Sequence, residues 1–268
     1  MQNSTCSGGF RYKNLVPYLI SLLGRKHVPI VLAAVAFVLT LPAAWSGYYQ
    51  DDHLIRLRFQ DFSGLPGVHG RLLDTCVFSD GDPAQNRARM ECGFLPWYAP
   101  PDWKVAFGRP FASLTHYADW VLLGDHAWAM HLHSLLWYAL LVFVLALLYR
   151  RMFASAGVAG LAALLYLLDP VHALANGWIA ARNAAISSVF IVLVLYFHDR
   201  WRRDGWRTGM VLAWVMLGIG LAASEAAEER EAVVPLANCA RLRIACLREA
   251  ACAFSSSAAL ALSSALAA

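Results

Sequence analysis

The chain has 268 residues, of which 59% are hydrophobic and only 15% are charged. Soluble proteins average about 45–50% apolar and about 25% charged residues. Here the apolar residues come in long blocks, so the composition favours a membrane protein over a soluble one. The net charge of +4 is small, and no nucleic-acid-binding motif is present, so nucleic acid is not a predicted partner.

Residues 1–27 form a mixed segment that ends in the basic cluster Arg25-Lys26, and we assign this segment to the cytoplasm. The leader before the apolar block is too long for a typical cleaved signal peptide. Residues 28–50 contain no charge. As a helix with a rise of about 1.5 Å per residue they reach about 34 Å, enough to cross a hydrocarbon core of about 30 Å. The sequence therefore predicts the first membrane helix here.

Residues 51–126 have a different composition, with most of the acidic residues and many glycines and prolines. Aromatic residues recur through this segment, so we predict a long, ordered loop, and loops of this length are usually functional. Within it, Phe111, Leu114, Ala118 and Val121 recur at helical spacing and predict a short amphipathic helix. This helix either lies on the membrane surface or packs against the membrane helices.

Four further apolar blocks follow, at residues 127–149, 152–168, 178–197 and 208–224. A basic pair ends the first of these blocks, and an Asp-Pro dipeptide stops the second. Together with residues 28–50, they predict an all-α fold. The expected architecture is a polytopic transmembrane bundle of about five helices, whose long first loop carries short interfacial helices.

The basic segments predict the orientation of this bundle. Arg25-Lys26, Arg150-Arg151 and the run from Arg200 to Arg207 must share one side of the membrane if the five helices alternate in direction. These are the most basic short segments, so the positive-inside rule assigns them and the N-terminus to the cytoplasm. The loop 51–126 then lies on the non-cytoplasmic side.

The last segment, residues 225–268, has a composition unlike the rest of the chain. It contains no glycine, tryptophan or tyrosine and is rich in alanine, serine and arginine. Two interpretations remain open. The native reading frame is lost near Ser224 or the gene is a truncated copy, or the segment is a genuine Ala-rich tail.

Neither the cysteines nor the closely spaced histidines have the pattern of a metal site. None of the cysteines has the close spacing of a zinc site: Cys6, Cys76, Cys92, Cys239, Cys246 and Cys252. Cys76 and Cys92 share the long loop, where either a disulfide or two free thiols would fit. His131 and His133 lie two apart on a predicted helix, on nearly opposite faces, so they cannot form one metal site together.

Among the ionisable groups on the predicted non-cytoplasmic side, eight are candidates for a functional site: Asp51, Asp52, His53, Arg109, His116, His172, Arg182 and Glu225. A carboxylate there can act as a general base or, with its partner, hold a divalent cation. An arginine can bind a phosphate through two parallel hydrogen bonds. A lipid-phosphate substrate would need both kinds of group at the boundary between membrane and water.

Each of the main candidates also has a purely structural interpretation. The Asp51-Asp52 pair can end the first membrane helix and cap the next element. Arg182 can snorkel to the interface, and Arg109 can mark a boundary between loop and helix. His172 can be a turn residue, and Glu225 can be the first residue after a helix.

Six segments in a fixed order carry a family resemblance: Tyr49-Gln50-Asp51-Asp52, Arg109-Pro110-Phe111-Ala112-Ser113-Leu114-Thr115, His131-Leu132-His133-Ser134-Leu135-Leu136-Trp137-Tyr138, Leu168-Asp169-Pro170-Val171-His172, Gly177-Trp178-Ile179-Ala180-Ala181-Arg182-Asn183 and Ser224-Glu225. Together they resemble polytopic glycosyltransferases of the GT-C class. The closest similarity is to the protein O-mannosyltransferase branch, which includes the transmembrane-and-tetratricopeptide-repeat mannosyltransferases and their bacterial relatives.

This resemblance implies transfer of a sugar, mannose or another hexose, from a polyprenyl-phosphate donor. The implied acceptor is a protein, a glycan or a lipid on the non-cytoplasmic face of a bacterial inner membrane. One aspartate of the Asp51-Asp52 pair would be the catalytic base, and the other would orient it or bind a divalent cation. Arg109 and Arg182 would bind the donor phosphate, with His172 and Glu225 in supporting roles.

The alternative is a non-enzymatic polytopic membrane protein, either a scaffold or a fragment of a transporter. A transporter places ionisable groups near the bilayer midplane and often has repeated halves. In this sequence the candidate groups lie near the ends of the predicted helices, and no internal repeat is visible. The sequence therefore favours the enzyme.

Overall fold

The computed structural model describes residues 15–60, 72–73, 75–172 and 176–224. These residues are mostly helical, as predicted. The helices are α1 (Leu15–Leu23), α2 (Val28–Thr40), α3 (Asp51–Phe59), α4 (Pro83–Glu91), α5 (Pro110–Leu123), α6 (Ala127–Met152), α7 (Ala156–Leu167), α8 (Arg182–Asp204) and α9 (Arg207–Ala223). The predictions made for residues 1–14 and for the tail 225–268 lie outside the described residues.

In the described part of the chain, three segments are long and apolar enough to cross a membrane: Val28–Trp45, Ala127–Met152 and Ile179–Asp204. The apolar helices α7 and α9 have only 12 and 17 residues. At about 1.5 Å per residue they reach about 18 and 26 Å, short of a hydrocarbon core of about 30 Å. The prediction of apolar helices of membrane-spanning length is confirmed, and the count of about five spans stays a prediction.

The first membrane helix ends at Trp45 and not at residue 50. Pro42 lies just after α2, where the chain tightens into a 3-10 helix, Leu41–Trp45. A proline lacks the N–H that an α-helix needs, which favours this change. Gly47, with a φ of 73°, then turns the chain out of the bundle. Before this segment, α1 is a helix where the sequence predicted no element.

The predicted long loop is not purely helical, which corrects the all-α prediction. Besides α3, α4 and α5 it contains the antiparallel strands β1 (Val77–Asp80) and β2 (Lys104–Ala106). Asn86 of α4 is fully buried. It donates to the carbonyl oxygens of Pro101 and Trp103, at 2.8 Å each, and accepts from the Ser79 hydroxyl at 2.8 Å. Asn86 therefore connects α4 to both strands and orders this part of the loop.

Helix α6 is the centre of the bundle and packs against α2, α7 and α8, while α9 packs along α8. The buried side chains of this core are mostly aliphatic: Leu32, Ala36, Tyr138, Leu141, Val142, Val144, Ala146, Ala163, Leu167 and Val189. The Tyr138 hydroxyl donates a hydrogen bond to the Leu167 carbonyl oxygen at 3.1 Å. The helices therefore pack through apolar side chains, and the buried hydroxyl of Tyr138 has a hydrogen-bond partner.

The two ends of the bundle differ in charge. At one end, Arg150 donates to the carbonyl oxygens of Gly24 and Lys26, and Arg151 binds Asp199 and Asp204. This end gathers the three basic segments that the positive-inside rule assigned to one side. At the opposite end the starts of α3, α6 and α8 and the end of α9 come together through hydrogen bonds.

Helix α5 is amphipathic, but its polar face is the buried one. Ser113, Thr115, His116 and Asp119 are buried together with Ala112. The exposed side chains of this helix are large and mainly apolar: Leu114, Tyr117, Val121 and Leu122. A helix in water shows the reverse arrangement. The burial pattern therefore suits a helix whose outer face contacts lipid.

The close approach of α1 to α7 gives the first testable prediction. A Cβ atom added to Gly160 would lie 2.2 Å from the Leu23 carbonyl oxygen, so the two helices would have to separate. We expect Gly160→Ala to lower the free energy of unfolding by about 1–3 kcal/mol. Thermal unfolding of the purified protein in lipid nanodiscs measures this change.

Gly218→Ala is the matched control, because a Cβ on Gly218 of α9 meets no atom within 4 Å. Alanine is the better helix former by about 1 kcal/mol, so this variant should unfold at the wild-type temperature or above it. Equal unfolding temperatures for Gly160→Ala and Gly218→Ala would contradict the contact between α1 and α7.

Candidate functional site

The Asp51-Asp52 pair begins α3, at the end of the bundle opposite the basic segments. Gln50 comes directly before it with φ of 43° and ψ of −111°. It is the one non-glycine residue of the described chain with a positive φ. Such a conformation costs on the order of 1–3 kcal/mol and persists only where surrounding contacts hold it. Strain of this kind gathers at functional sites, which draws attention to the two aspartates.

Asp52 is a structural carboxylate. Its side chain is 2% exposed, and its Oδ2 accepts from the Tyr49 N–H at 3.0 Å. Its Oδ1 accepts from the Ala180 N–H at 2.6 Å, in the 3-10 helix Ile179–Ala181. Burial raises the pKa of the Asp52 carboxyl above its usual value, although the backbone hydrogen bonds act in the opposite direction. Asp52 thus ties the start of α3 to the segment that leads into α8.

Asp51 is in a different environment from its neighbour. Its side chain is half-buried, and no group in the described part of the chain donates a hydrogen bond to its carboxylate. Burial raises the pKa of this carboxyl above its usual value, while the positive charge of Arg109 acts to lower it. Asp51 is therefore the member of the pair that is free to accept a proton from another molecule.

Arg109 immediately precedes α5, and its guanidinium lies over the Phe107 ring at 4.5 Å from the ring centroid. Its Nε is buried and has no hydrogen-bond partner among the described residues. An unmatched buried donor on a charged group costs free energy, and an anion in contact with Arg109 would remove that cost. The positive charge of Arg109 acts on Asp51, and both groups have hydrogen-bonding capacity left for a substrate.

Arg182, at the start of α8, already has protein partners. None of its side chain is exposed, and its NH1 pairs with Asp119 Oδ2 of α5 at 2.5 Å. Its Nε donates to Ser134 Oγ at 2.8 Å, and its NH2 donates to the Met130 carbonyl oxygen at 2.9 Å. These contacts join three helices, so the guanidinium is held in the protein interior.

The partners of His133 fix its proton. Trp137 Nε1 lies 3.0 Å from His133 Nε2. An indole N–H only donates, so Nε2 must accept. The proton of a neutral imidazole is then on Nδ1, which lies 2.5 Å from Asp119 Oδ1. Asp119 therefore accepts a hydrogen bond from His133 and forms an ion pair with Arg182, so one negative charge balances one positive charge in this interior network.

The other predicted site residues have contacts of their own. His172 packs its ring against Tyr166, at 4.4 Å between centroids, and against Tyr138 at 5.5 Å. His53 is exposed and packs on Tyr48. Glu225 lies outside the described residues, directly after Ser224. The supporting roles of His172 and Glu225 stay predictions.

The two loop cysteines are free thiols, with Cys76 buried and Cys92 exposed. Of the two alternatives that the sequence left open, the structure has the free thiols. Burial raises the pKa of the Cys76 thiol, against the lowering effect of Arg109. Within residues 15–60, 72–73, 75–172 and 176–224, no group of three or more His, Cys, Asp or Glu side chains is placed to hold a metal.

His131 and His133 face different partners, as their spacing predicted. His131 Nε2 contacts the Gly47 carbonyl oxygen at 2.8 Å and the Ser46 hydroxyl at 3.2 Å. His133 instead joins the Asp119–Arg182 network. The first contact fastens the end of the Val28–Trp45 segment to α6, which helps to position the turn before Asp51.

Sequence reasoning missed Asp119 and the pair Arg56–Asp125. Asp119 is the single charged residue of α5, and an isolated acid on a helix of a membrane protein was the available signal. Asp125 accepts from Arg56 Nε at 2.8 Å and from the Tyr48 hydroxyl at 2.8 Å. Arg56 holds the pKa of the Asp125 carboxyl below its usual value. No local pattern connects Arg56 with a residue 69 positions away.

Comparisons with protein-family models, with curated proteins and with solved structures find no match to this chain. The likeness to GT-C glycosyltransferases therefore stays a prediction from the ordered motifs.

The interior network gives a second testable prediction. Removal of one partner of a buried ion pair leaves an uncompensated charge and costs about 3–5 kcal/mol. We expect Asp119→Leu and Arg182→Met each to lower the free energy of unfolding by about that amount. The double variant should lose much less than the sum, because it leaves no lone charge. Denaturant unfolding of all four proteins measures the coupling.

Asp125→Asn is the control for this cycle. The side chains of Arg56 and Asp125 are 37% and 34% exposed, and exposed ion pairs contribute about 0–1 kcal/mol. This variant should lose no more than about 1 kcal/mol. Additive losses in the Asp119/Arg182 double variant would contradict a coupled buried pair.

Proposed function

We propose that this chain is a membrane glycosyltransferase of the GT-C type. It transfers a sugar from a polyprenyl-phosphate donor to an acceptor on the non-cytoplasmic face of a bacterial inner membrane. In this proposal all five apolar helices are embedded in the bilayer, the N-terminus is cytoplasmic, and the Asp51 end of the bundle faces outward. The ordered motifs and the one-sided distribution of the polar groups support this assignment.

The catalytic base in this proposal is Asp51. The observation that carries it is the contrast within the aspartate pair. Asp52 already binds two backbone N–H groups, whereas Asp51 has no such donor in the described part of the chain. Burial also raises the pKa of Asp51, and a raised pKa makes a carboxylate a stronger general base.

Arg109 is the proposed ligand of the donor phosphate, because its buried Nε lacks a partner among the described residues and its charge acts on Asp51. Arg182 takes a different role in this proposal from the one that the motifs suggested. Its guanidinium is engaged by Asp119, Ser134 and Met130, so we assign it to positioning α8 and the segment that holds Asp52.

The proposed reaction is a single displacement at the anomeric carbon of the donor sugar. The acceptor hydroxyl oxygen forms a bond to that carbon and gives its proton to the Asp51 carboxylate. The bond between the carbon and the phosphate oxygen breaks, and the polyprenyl phosphate leaves with the electron pair. Arg109 stabilises the negative charge that develops on the phosphate, an effect of about 2.7–4 kcal/mol per donor in comparable sites.

No step of this reaction uses a divalent cation. The sequence suggested Asp51 and Asp52 as ligands for one, but both Asp52 oxygens already accept backbone hydrogen bonds. The described residues offer no third His, Cys, Asp or Glu ligand beside the pair. The donor set at this position therefore does not fit a cation site.

The apolar outer face of α5 supports a lipid-linked substrate. Its outer face is apolar and exposed, as at Leu114, Val121 and Leu122, and lipid would cover such a face. Arg109 is the residue directly before this helix. A donor whose tail stays in the bilayer would then present its phosphate at the level of Arg109.

One observation favours the alternative, a scaffold or transporter fragment. The Asp119–Arg182 pair is buried between helices, and intramembrane ion pairs often mark a transport path. In this chain, however, the pair has a role in joining three helices. The two functions differ in what they require of Asp51, which only the enzyme uses as a base.

The third testable prediction concerns Asp51→Asn. Loss of a general base reduces the rate by about 10²–10⁴-fold, so we expect a fall of at least about 100-fold in sugar transfer from polyprenyl-phosphate mannose. The measurement is release of labelled mannose by the purified protein in nanodiscs. The unfolding temperature should not fall, because the raised pKa of Asp51 shows that its ionised form is disfavoured in the folded protein.

Asp52→Asn is the matched control. Its amide replaces one acceptor oxygen with a donor, so a backbone N–H loses its partner at a cost of about 1–3 kcal/mol. This variant should unfold at a lower temperature and keep more activity than Asp51→Asn. Full activity in Asp51→Asn would contradict the proposed role of Asp51.

A further inference from the structure

One end of the bundle, which we call the basic end, holds the turn between α1 and α2, the end of α6 and the turn between α8 and α9. Eight lysine and arginine side chains gather there: Arg25, Lys26, Arg150, Arg151, Arg200, Arg202, Arg203 and Arg207. In the described residues this end contains two acids, Asp199 and Asp204. The local excess of positive charge therefore exceeds the net charge of +4 of the whole chain.

Both acids of the basic end are already shared between arginines. Asp199 accepts from Arg151 Nε at 2.7 Å and from Arg203 Nε at 2.7 Å. Asp204 accepts from Arg151 NH2 at 2.8 Å and lies 3.6 Å from Arg200 Nε. Neither carboxylate is therefore left to neutralise another cation.

Four exposed cations remain at this end. Arg150 is held by backbone carbonyl oxygens. The other four have no ion-pair partner in the part of the chain that the structure describes: Arg25, Lys26, Arg202 and Arg207. Basic side chains at the edge of a membrane helix attract anionic lipid headgroups. The basic end therefore has free charge for an anion.

An exposed apolar face continues along α9 from Arg207, which begins that helix. Val211, Trp214 and Val215 follow at helical spacing and are 55%, 69% and 47% exposed. From Arg207 to Val215 the helix rises about 12 Å, most of the roughly 15 Å of half a hydrocarbon core. A phospholipid has the same order of groups, with a phosphate at the boundary and acyl chains below it.

Two tryptophans flank the turn between α8 and α9. The Arg200 guanidinium lies over the Trp206 ring at 4.2 Å from its centroid, and the Arg202 guanidinium lies 5.8 Å from the centroid of Trp201. Tryptophan is enriched at the level of lipid headgroups. A soluble acidic partner would have no contact for the apolar face of α9, so these features together favour a lipid.

We propose that the start of α9 binds an anionic phospholipid and selects it over a zwitterionic one. The lipid phosphate pairs with Arg207, and Arg200, held on the Trp206 ring, adds a second positive charge. One acyl chain lies along Val211 and Trp214. A zwitterionic headgroup carries its own cation and gains less from these arginines. The site does not depend on the proposed glycosyltransferase activity.

The test is native mass spectrometry of the full chain in detergent, titrated with phosphatidylglycerol or with phosphatidylcholine of the same acyl chains. We expect the wild-type protein to bind phosphatidylglycerol at least about fivefold more tightly. Arg207→Gln should lower the ratio of the two affinities about fivefold, the effect of one basic side chain near an anionic headgroup. Trp214→Ala should weaken both lipids to a similar extent, because it removes a contact with the acyl chain.

Arg87→Gln is the matched control. Arg87 is an exposed residue of α4, so this variant removes the same charge away from the α9 face and should keep the wild-type ratio. Circular dichroism verifies that each variant is folded. Equal wild-type affinities for the two lipids would overturn the site, and so would equal losses in Arg207→Gln and Arg87→Gln. Unchanged affinities in Trp214→Ala would overturn the acyl-chain contact.

Discussion

A guanidinium with no exposed surface must find its counter-charge and its hydrogen-bond acceptors inside the protein. Arg182 meets this constraint with Asp119 of α5 and with Ser134 and the Met130 carbonyl of α6. The interaction therefore sets the positions of three helices at once. It also explains why α5 buries its polar face, since Asp119 must point inward to reach Arg182.

The same contacts determine the environment of the aspartate pair. Arg182 begins α8 directly after the 3-10 helix Ile179–Ala181, and that helix supplies the Ala180 N–H to Asp52. The Asp52 carboxylate therefore binds backbone N–H groups. Asp51, one residue earlier, stays half-buried, and the positive charge of Arg109 acts on it. Two adjacent residues of one type thus have different tasks because they project from α3 in different directions.

The sequence predicted the features that depend on local composition. The apolar blocks predicted the positions of the long helices α6 and α8. The sequence also predicted that the basic segments lie at one end of the bundle, and they do. The spacing of His131 and His133 predicted that they would face different partners. The predicted helix ends were less accurate at two places: Pro42 ends α2 early, and the Ser155 side chain caps α7, which begins at Ala156 rather than at residue 152.

The partners of the buried charges could not be predicted, because they join residues far apart in the chain. Asp119 and Arg182 are brought together by the packing of α5, α6 and α8, which no local pattern encodes. The burial of the polar face of α5 could not be predicted either. The apolar stripe through Leu114 and Val121 indicated a helix, but it did not indicate which face the protein would bury. The strands β1 and β2 are too short to give a clear alternating pattern.

The central claim is that Asp51 is a base whose pKa is set by burial and by Arg109. Its most direct test is the pH dependence of kcat/KM for sugar release from polyprenyl-phosphate mannose in the wild type, Arg109→Gln and Arg56→Gln. Arg109 lowers the pKa of Asp51, so its removal should move the acidic limb of the profile to higher pH. Arg56, bound to Asp125, should leave that limb in place. An acidic limb at the same pH in all three proteins would contradict the account.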